Sequence, residues 1–215
     1  MRFLRLFGKF LISVGLGILM FVAWTLWGTG LYTADQQRIL DQAFADAPDV
    51  RHERLSDGIV EVDESFRPKP GEAVFKMRIP KIDHEQVVVQ GVGTEELRKG
   101  PGHFPTCRAG FERPLCTELD EVWPGEIGRS IISGHRTTYG APFYSLDRLQ
   151  PGDHIEIEAN WGDFTYEVTE KEIVPPDSTD IANPAASTFA EIALTTCNPR
   201  FSAAERLIVY ARYVP

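Results

Sequence analysis

Pro151-Gly152-Asp153-His154-Ile155-Glu156-Ile157-Glu158 holds a turn and a strand in eight residues. From His154 to Glu158 polar and apolar residues alternate, the pattern of a strand with one face in a core and the other in water. The Pro-Gly-Asp ahead of it is a turn signal, since Pro presets φ and Gly accepts positive φ. The same grammar recurs in both directions along the chain. Ala73–Ile79, Gln86–Gln90, Ser130–Ser133, Phe164–Val174, Glu191–Thr196 and Arg206–Tyr213 are short β-like runs bounded by Gly, Pro, Asn and Asp. Helical candidates are few, Glu95–Lys99 and Pro142–Leu149. So many short strands predict an all-β barrel or sandwich over residues 72–215.

Composition narrows the class further. The chain has 215 residues, and its 43% hydrophobic content excludes a disordered polymer. Its 18 Gly and 15 Pro argue against a helical bundle. With 22 Lys and Arg against 31 Asp and Glu, the net charge of −9 leaves no basic surplus to neutralise phosphates. No nucleic-acid partner is expected. Three Cys are too few for a disulfide-dense scaffold.

The charge is uneven. Arg2, Arg5 and Lys9 precede Phe10–Leu31, which contains no charged residue, and the chain beyond carries 19 basic against 31 acidic residues. Residues 10–31 are long enough to span a hydrocarbon core of ~30 Å at ~1.5 Å per residue. Trp24, Trp27 and Tyr32 stand where rings suit the headgroup region. The positive-inside rule puts residues 1–9 in the cytoplasm and the acidic body outside, with the helix as a single-pass plasma-membrane anchor in lipid. A cleaved signal peptide is the rival, but its apolar core is shorter, ~7–15 residues, and no good small-x-small site follows. A short polar helix over Ala34–Ala45 and the charged, Pro-rich run to Gly71 read as an extracellular spacer, residues 32–71, holding the domain off the membrane.

Three residues could carry chemistry. Cys197 ends an apolar run and meets Pro199 two residues later, which places its thiol at a strand end. Alone it reads first as a buried small hydrophobe, the commonest state of a free Cys. A thiol nucleophile needs a base or cation to favour thiolate. His135 follows the strand-like Ser130–Ser133 and Gly134, although a single turn histidine is commonly a surface residue. Arg206 opens the last strand nine positions after Cys197, so two neighbouring strands would bring the pair side by side. Its guanidinium could hold a carbonyl and stabilise an oxyanion, or simply be solvated beside Glu205. His52, His84, His103 and His154 have no Cys-rich or His-rich spacing around them, so a zinc site is unsupported and no residue is assigned as a metal ligand. Calcium stays open: Asp and Glu are plentiful, but no Asp-x-Asp-x-Asp-Gly loop appears.

Together these segments resemble a known family. Ala193-Leu194-Thr195-Thr196-Cys197, with Arg206 downstream, is similar to the active-site signature of sortases. Ser133-Gly134-His135-Arg136-Thr137-Thr138-Tyr139-Gly140-Ala141-Pro142-Phe143 resembles the histidine segment, most closely that of class E sortases of high-GC Gram-positive bacteria. The resemblance runs from about Ala73 to Tyr213 and includes Ile79-Pro80-Lys81-Ile82 and Gly100-Pro101-Gly102-His103-Phe104. Ala193 departs from the Thr of many members, and Thr106–Trp123 is longer than the usual connection.

The resemblance implies a closed eight-stranded sortase-type β-barrel behind the N-terminal helix. It implies an anchored cysteine transpeptidase that needs no cofactor. Such an enzyme cuts a C-terminal LAxTG- or LPxTG-like sorting signal of a surface protein between Thr and Gly. It then joins the Thr to an amine on a cell-wall precursor or pilin. Carried over, Cys197 is the nucleophile, His135 the general acid and base, and Arg206 the oxyanion stabiliser. Tyr139, Thr195 and Thr196 contact the substrate. Outside the cell, Cys107 and Cys116 could close a small disulfide ring and leave Cys197 free, or could be independent thiols. Two alternatives are a purely hydrolytic cysteine peptidase and a tethered β-domain that binds a wall ligand without chemistry. An L,D-transpeptidase is disfavoured, because no Ser-x-Gly-Cys-type loop surrounds Cys197.

Overall fold

The structure, a computed structural model, describes residues 2–112, 115–117, 120–178 and 188–215. It begins with a helix, α1 (Arg2–Ala23), that continues through a π-helical turn at Trp24–Gly28 into α2 (Thr29–Ala45). No residue of α1 is buried, and the helix is long and apolar enough to cross a membrane. A small hairpin follows, β1 (His52–Arg54) and β2 (Val60–Val62).

Eight further strands close into a barrel. They are β3 (Ala73–Ile79), β4 (His84–Gln90), β5 (Gly102–His103), β6 (Gly128–Ser133), β7 (His154–Ala159), β8 (Gly162–Val174), β9 (Ala190–Asn198) and β10 (Glu205–Val214). Around the barrel the order is β10-β8-β7-β3-β4-β5-β6-β9, and β9 pairs again with β10. Closure removes most of the open sheet edge, and two-residue β5 leaves only part of β4 without a strand neighbour. A single turn of helix, α3 (Thr94–Leu97), lies between β4 and β5. The helix expected over Pro142–Leu149 is only a 3-10 turn, Leu146–Arg148. Its i, i+3 apolar residues Phe143, Leu146 and Leu149 do reach the core.

The alternation read from His154–Glu158 fills the barrel. Ile155 and Ile157 point inward with Phe75, Met77, Ile79, Tyr166, Ile192, Leu194 and Val209. Each such side chain contributes about 1.5–3 kcal/mol relative to exposure. Trp123 and Trp161 extend this core and pack edge to face, 5.9 Å apart.

Parts of residues 32–71 pack against the barrel. Leu40 and Phe44, one turn apart on α2, bury themselves against Val87 and Val89 of β4. The side chain of Gln37 completes the edge. Its Nε2 donates to the Val87 and Lys99 carbonyls at 3.0 and 2.9 Å, and its Oε1 accepts from the Val87 N–H at 2.8 Å. Val60 and Val62 join the barrel core, and the Glu126 carboxylate accepts from the N–H groups of Val62 and Trp123 at 2.7 and 2.8 Å. Leu40 and Phe44 alone, on a helix whose other apolar residues such as Ile39 stay exposed, are a weak sequence signal, which is why the docking is invisible before the barrel exists.

Cys107 and Cys116 are bonded, with Cα atoms 5.0 Å apart. A ring of about ten residues removes loop entropy worth about 2–3 kcal/mol from the unfolded chain. The double Ser variant is expected to melt earlier while keeping its chemistry at low temperature. Thiol counting on the folded, unreduced protein should find one reactive group, and a count of three would refute the pairing.

His84 and His103 are buried, and burial pushes both down to about 4. His103 stacks on Trp123 at 4.5 Å, and its Nδ1 lies 3.6 Å from the Glu121 carboxyl. Burial outweighs the hydrogen bond of His103 with the Val122 carbonyl, and it also raises Glu121 itself. An imidazole whose folded pKa lies below its unfolded value of about 6.5 binds its proton more readily unfolded. Stability is therefore full above that pH and falls as pH drops toward 4. Each histidine should cost about 2 kcal/mol at pH 5. Glu121 and Glu126, both raised by burial, oppose part of the loss. Denaturant unfolding at pH 7.5 and 5 checks this, and equal stability at the two would contradict it.

Candidate active site

Three adjacent strands carry the site, with β9 in the middle. Along β9, Ile192, Leu194 and Thr196 face the interior, while Ala193, Thr195 and Cys197 face out. Arg206 on antiparallel β10 is the direct register partner of Cys197. Directly opposed residues carry their Cβ atoms ~4.5–5.5 Å apart on one face. On the other side, β6 runs parallel to β9 with Ser133 opposite Thr195. The Gly134 N–H then donates to the Thr195 carbonyl at 3.1 Å, so His135 extends the register to the level of Cys197. A Cβ at Gly134 would lie 2.7 Å from the Phe143 ring, so only glycine lets that ring pack beneath the histidine turn.

Cys197 is the free cysteine among the described residues, and it is half-buried. His135 is half-buried too. Its Nε2 is shielded from solvent and meets no hydrogen-bond partner. Burial, and then the Arg98 guanidinium, hold this imidazole below its ordinary pKa. Its ring lies 5.1 Å from that of Tyr139, and Arg98 sits over the other ring at 5.6 Å. Arg206 turns back on its own loop, where Nη1 donates to the carbonyls of Ala203 and Glu205 at 3.2 and 3.1 Å. Glu205 spends its carboxylate on Asn198 at 2.8 Å, so Arg206 is not held as a surface ion pair.

A second set of charges braces the site from below. Arg136 is 4% exposed and pairs with Asp147 at 2.9 Å. Arg200, on the loop after Cys197, pairs with the same carboxylate oxygen at 2.7 Å and rests on the Tyr144 ring. Asp147 thus ties the histidine loop to the cysteine loop. Burial holds Arg136 below the ordinary arginine range. Asp147 opposes that effect, as does the nearby Cys197, while Arg200 adds to it.

The expected residues meet different fates. Cys197, His135 and Arg206 stand on neighbouring strand ends. Tyr139 and Thr195 are half-buried beside them. Thr196 faces the barrel interior. It is 3% exposed, and its hydroxyl donates to the Gly134 carbonyl at 2.7 Å, clamping the cysteine strand to the histidine strand. Arg98, Asp147 and Arg200 were not legible as site residues, because each arrives from a segment with no motif of its own. Among the described residues, no three His, Cys, Asp or Glu side chains gather as a metal site.

A thiol, an imidazole and a guanidinium on adjacent strand ends of a closed barrel form the arrangement of a cysteine enzyme for acyl transfer. The chain belongs to the sortase family, whose Sortase domain model matches residues 77–214. It is 34% identical over 154 residues to Sortase D of Bacillus subtilis, covering 70% of this chain and 68% of that one. It is 28% identical over 219 residues to Sortase SrtE1 of Streptomyces coelicolor, covering 98% of this chain and 57% of the relative. Among solved structures, Sortase E1 of Streptomyces coelicolor with a tripeptide in the active site aligns with TM-score 0.57 and 28% identity over 69% of this chain and 91% of that one. The closed barrel is the sortase barrel, the class E resemblance stands, and the enzyme is a transpeptidase.

Proposed function

We propose that this sortase cleaves an LAxTG- or LPxTG-like sorting signal between Thr and Gly through a thioester on Cys197. The register that sets Cys197 between His135 and Arg206 carries the reading. The Cys197 sulfur attacks the Thr carbonyl as its proton passes to His135. Arg206 swings from its loop carbonyls to hold the oxyanion. Collapse breaks the Thr–Gly bond, and His135 gives its proton to the departing glycine amine. An imidazolium made more acidic by burial and by Arg98 is the better donor for that step. An amine then attacks the thioester, His135 takes its proton, and the thiol is released.

The sorted proteins would be surface proteins, and the acceptor an amine on a cell-wall precursor or pilin. Tyr139 would face the second residue of the signal, with Thr195 lining the approach. The apolar helix would anchor the enzyme in the plasma membrane as a single pass. Arg2, Arg5 and Lys9 on its N-terminal side favour a cytoplasmic start and an extracellular barrel. Residues 72–215 would then be the catalytic domain, with residues 32–71 linking it to the anchor.

Mass spectrometry of the protein incubated with a panel of sorting-signal peptides tests the reading. A Cys197 acyl adduct ending in Thr is expected. With an added amine the product should be the new amide, and hydrolysis alone would make the protein a peptidase.

A further inference from the structure

The histidine loop is strained, and what holds it comes from the anchor helix. Tyr139, Gly140 and Ala141 all take positive φ, at 51°, 72° and 45°. Only the middle one is glycine, so Tyr139 and Ala141 sit in a region L residues disfavour. The loop closes through the Phe143 N–H on the His135 carbonyl, at 3.1 Å, and Tyr139 folds its ring back onto His135. On its outer side the loop meets α2. The Tyr139 N–H donates to the Thr29 hydroxyl at 3.1 Å, and that hydroxyl donates in turn to the Thr25 carbonyl at 2.9 Å.

One turn on, the Thr33 hydroxyl donates to the Arg98 carbonyl at 2.8 Å. Arg98 is the residue whose guanidinium covers Tyr139 and lowers the pKa of His135. Thr33 is 1% exposed, and its methyl would touch a Cβ placed on Gly140 at 3.4 Å. A Cβ on Gly30 would lie 3.6 Å from the Gly140 nitrogen, so helix and loop backbones run in close contact. Two helix hydroxyls therefore hold the backbones of Tyr139, whose ring meets His135, and of Arg98, which covers the Tyr139 ring.

We propose that the first turns of α2, continuous with the apolar helix, are a working part of the active site, with Thr29 and Thr33 as positioning residues. Thr29 fixes the strained Tyr139 against His135, and Thr33 fixes Arg98 over Tyr139. Neither touches the reacting atoms. The inference rests on the sortase reading of His135 given above. It goes beyond that reading by making the linker to the anchor a contributor to turnover rather than a tether.

The test uses the full chain in detergent micelles or nanodiscs. Thr29→Val and Thr33→Val keep the shape and remove the hydroxyls, while Thr29→Ser and Thr33→Ser keep them. Turnover of a sorting-signal peptide with an amine acceptor is one readout. The ring resonances of His135, assigned by loss in His135→Asn, are the other. The double Val variant should lower kcat/KM about tenfold or more, chiefly through kcat, and shift the His135 resonances. The double Ser variant should stay within about twofold, with resonances unmoved. Val variants that match the wild type in both readouts would overturn the proposal. So would Ser variants that fall as far as Val, because packing and not the hydroxyls would then matter. If the double Val variant fails to fold, the two single Val variants are read by the same criteria. A wild type that turns over no sorting-signal peptide would sink the sortase chemistry, and the His135 resonances would still decide the positioning.

Discussion

Cys197→Ala is expected to abolish peptide cleavage and leave the fold intact. In the proposed mechanism the covalent route runs only through this sulfur, because the other two cysteines are bonded to each other. Losing the nucleophile removes the route itself and not one contribution to it. Turnover should fall by at least about 10⁴-fold, which corresponds to about 5.5 kcal/mol of barrier. The fold should not notice. Cys197 is half-buried on the outer face of β9, and its backbone stays in register with Arg206 whatever the side chain. Removing one sulfur there should change stability by no more than about 1 kcal/mol. Peptide turnover together with circular dichroism and thermal unfolding would check both halves. Turnover near the wild-type level would end the cysteine mechanism. A variant that is inactive because it has unfolded would show that the thiol carries packing, which its exposure argues against.

The barrel was legible because half-buried strands write their burial into a period of two. Ala73–Ile79 is bounded as the sequence predicts, and His154–Glu158 is one residue short of β7. Two-residue β5 carries no period at all, and hairpin strands of three residues carry little more. The candidate nucleophile and its proposed partners stood out for a different reason. Cys197, His135 and Arg206 each sit where a strand meets a turn signal, and their order matched a family pattern. What surrounds them was not legible. Arg98 meets Tyr139 across 41 positions of sequence, and Asp147 gathers Arg136 and Arg200 from two loops. Such convergence belongs to the closed barrel and leaves no trace in local spacing. Thr196 is a motif residue that strand alternation turns inward, onto the Gly134 carbonyl.

Arg206→Ala is the second large effect expected, a fall of about 10²–10³ in kcat/KM, the usual worth of one oxyanion donor at ~2.7–4 kcal/mol. Two guanidiniums stand near the thiol, and their surroundings tell them apart. Arg136 is 4% exposed and held by Asp147, so it has no freedom to follow a developing charge. Arg206 is half-buried, opposite Cys197, and its hydrogen bonds go to two carbonyls of its own turn. Exchanging those for an oxyanion trades neutral acceptors for a charged one, which favours the transition state over the resting enzyme. Lys at 206 keeps the positive charge but loses the planar fork and part of the reach, so only a partial rescue is expected. Stability should barely change in either variant, since the lost bonds lie at an exposed turn. Steady-state kinetics on the folded variants provides the check. A loss below about tenfold, or ~1.4 kcal/mol, would show that Arg206 is a turn-capping residue and that the oxyanion is held by another donor.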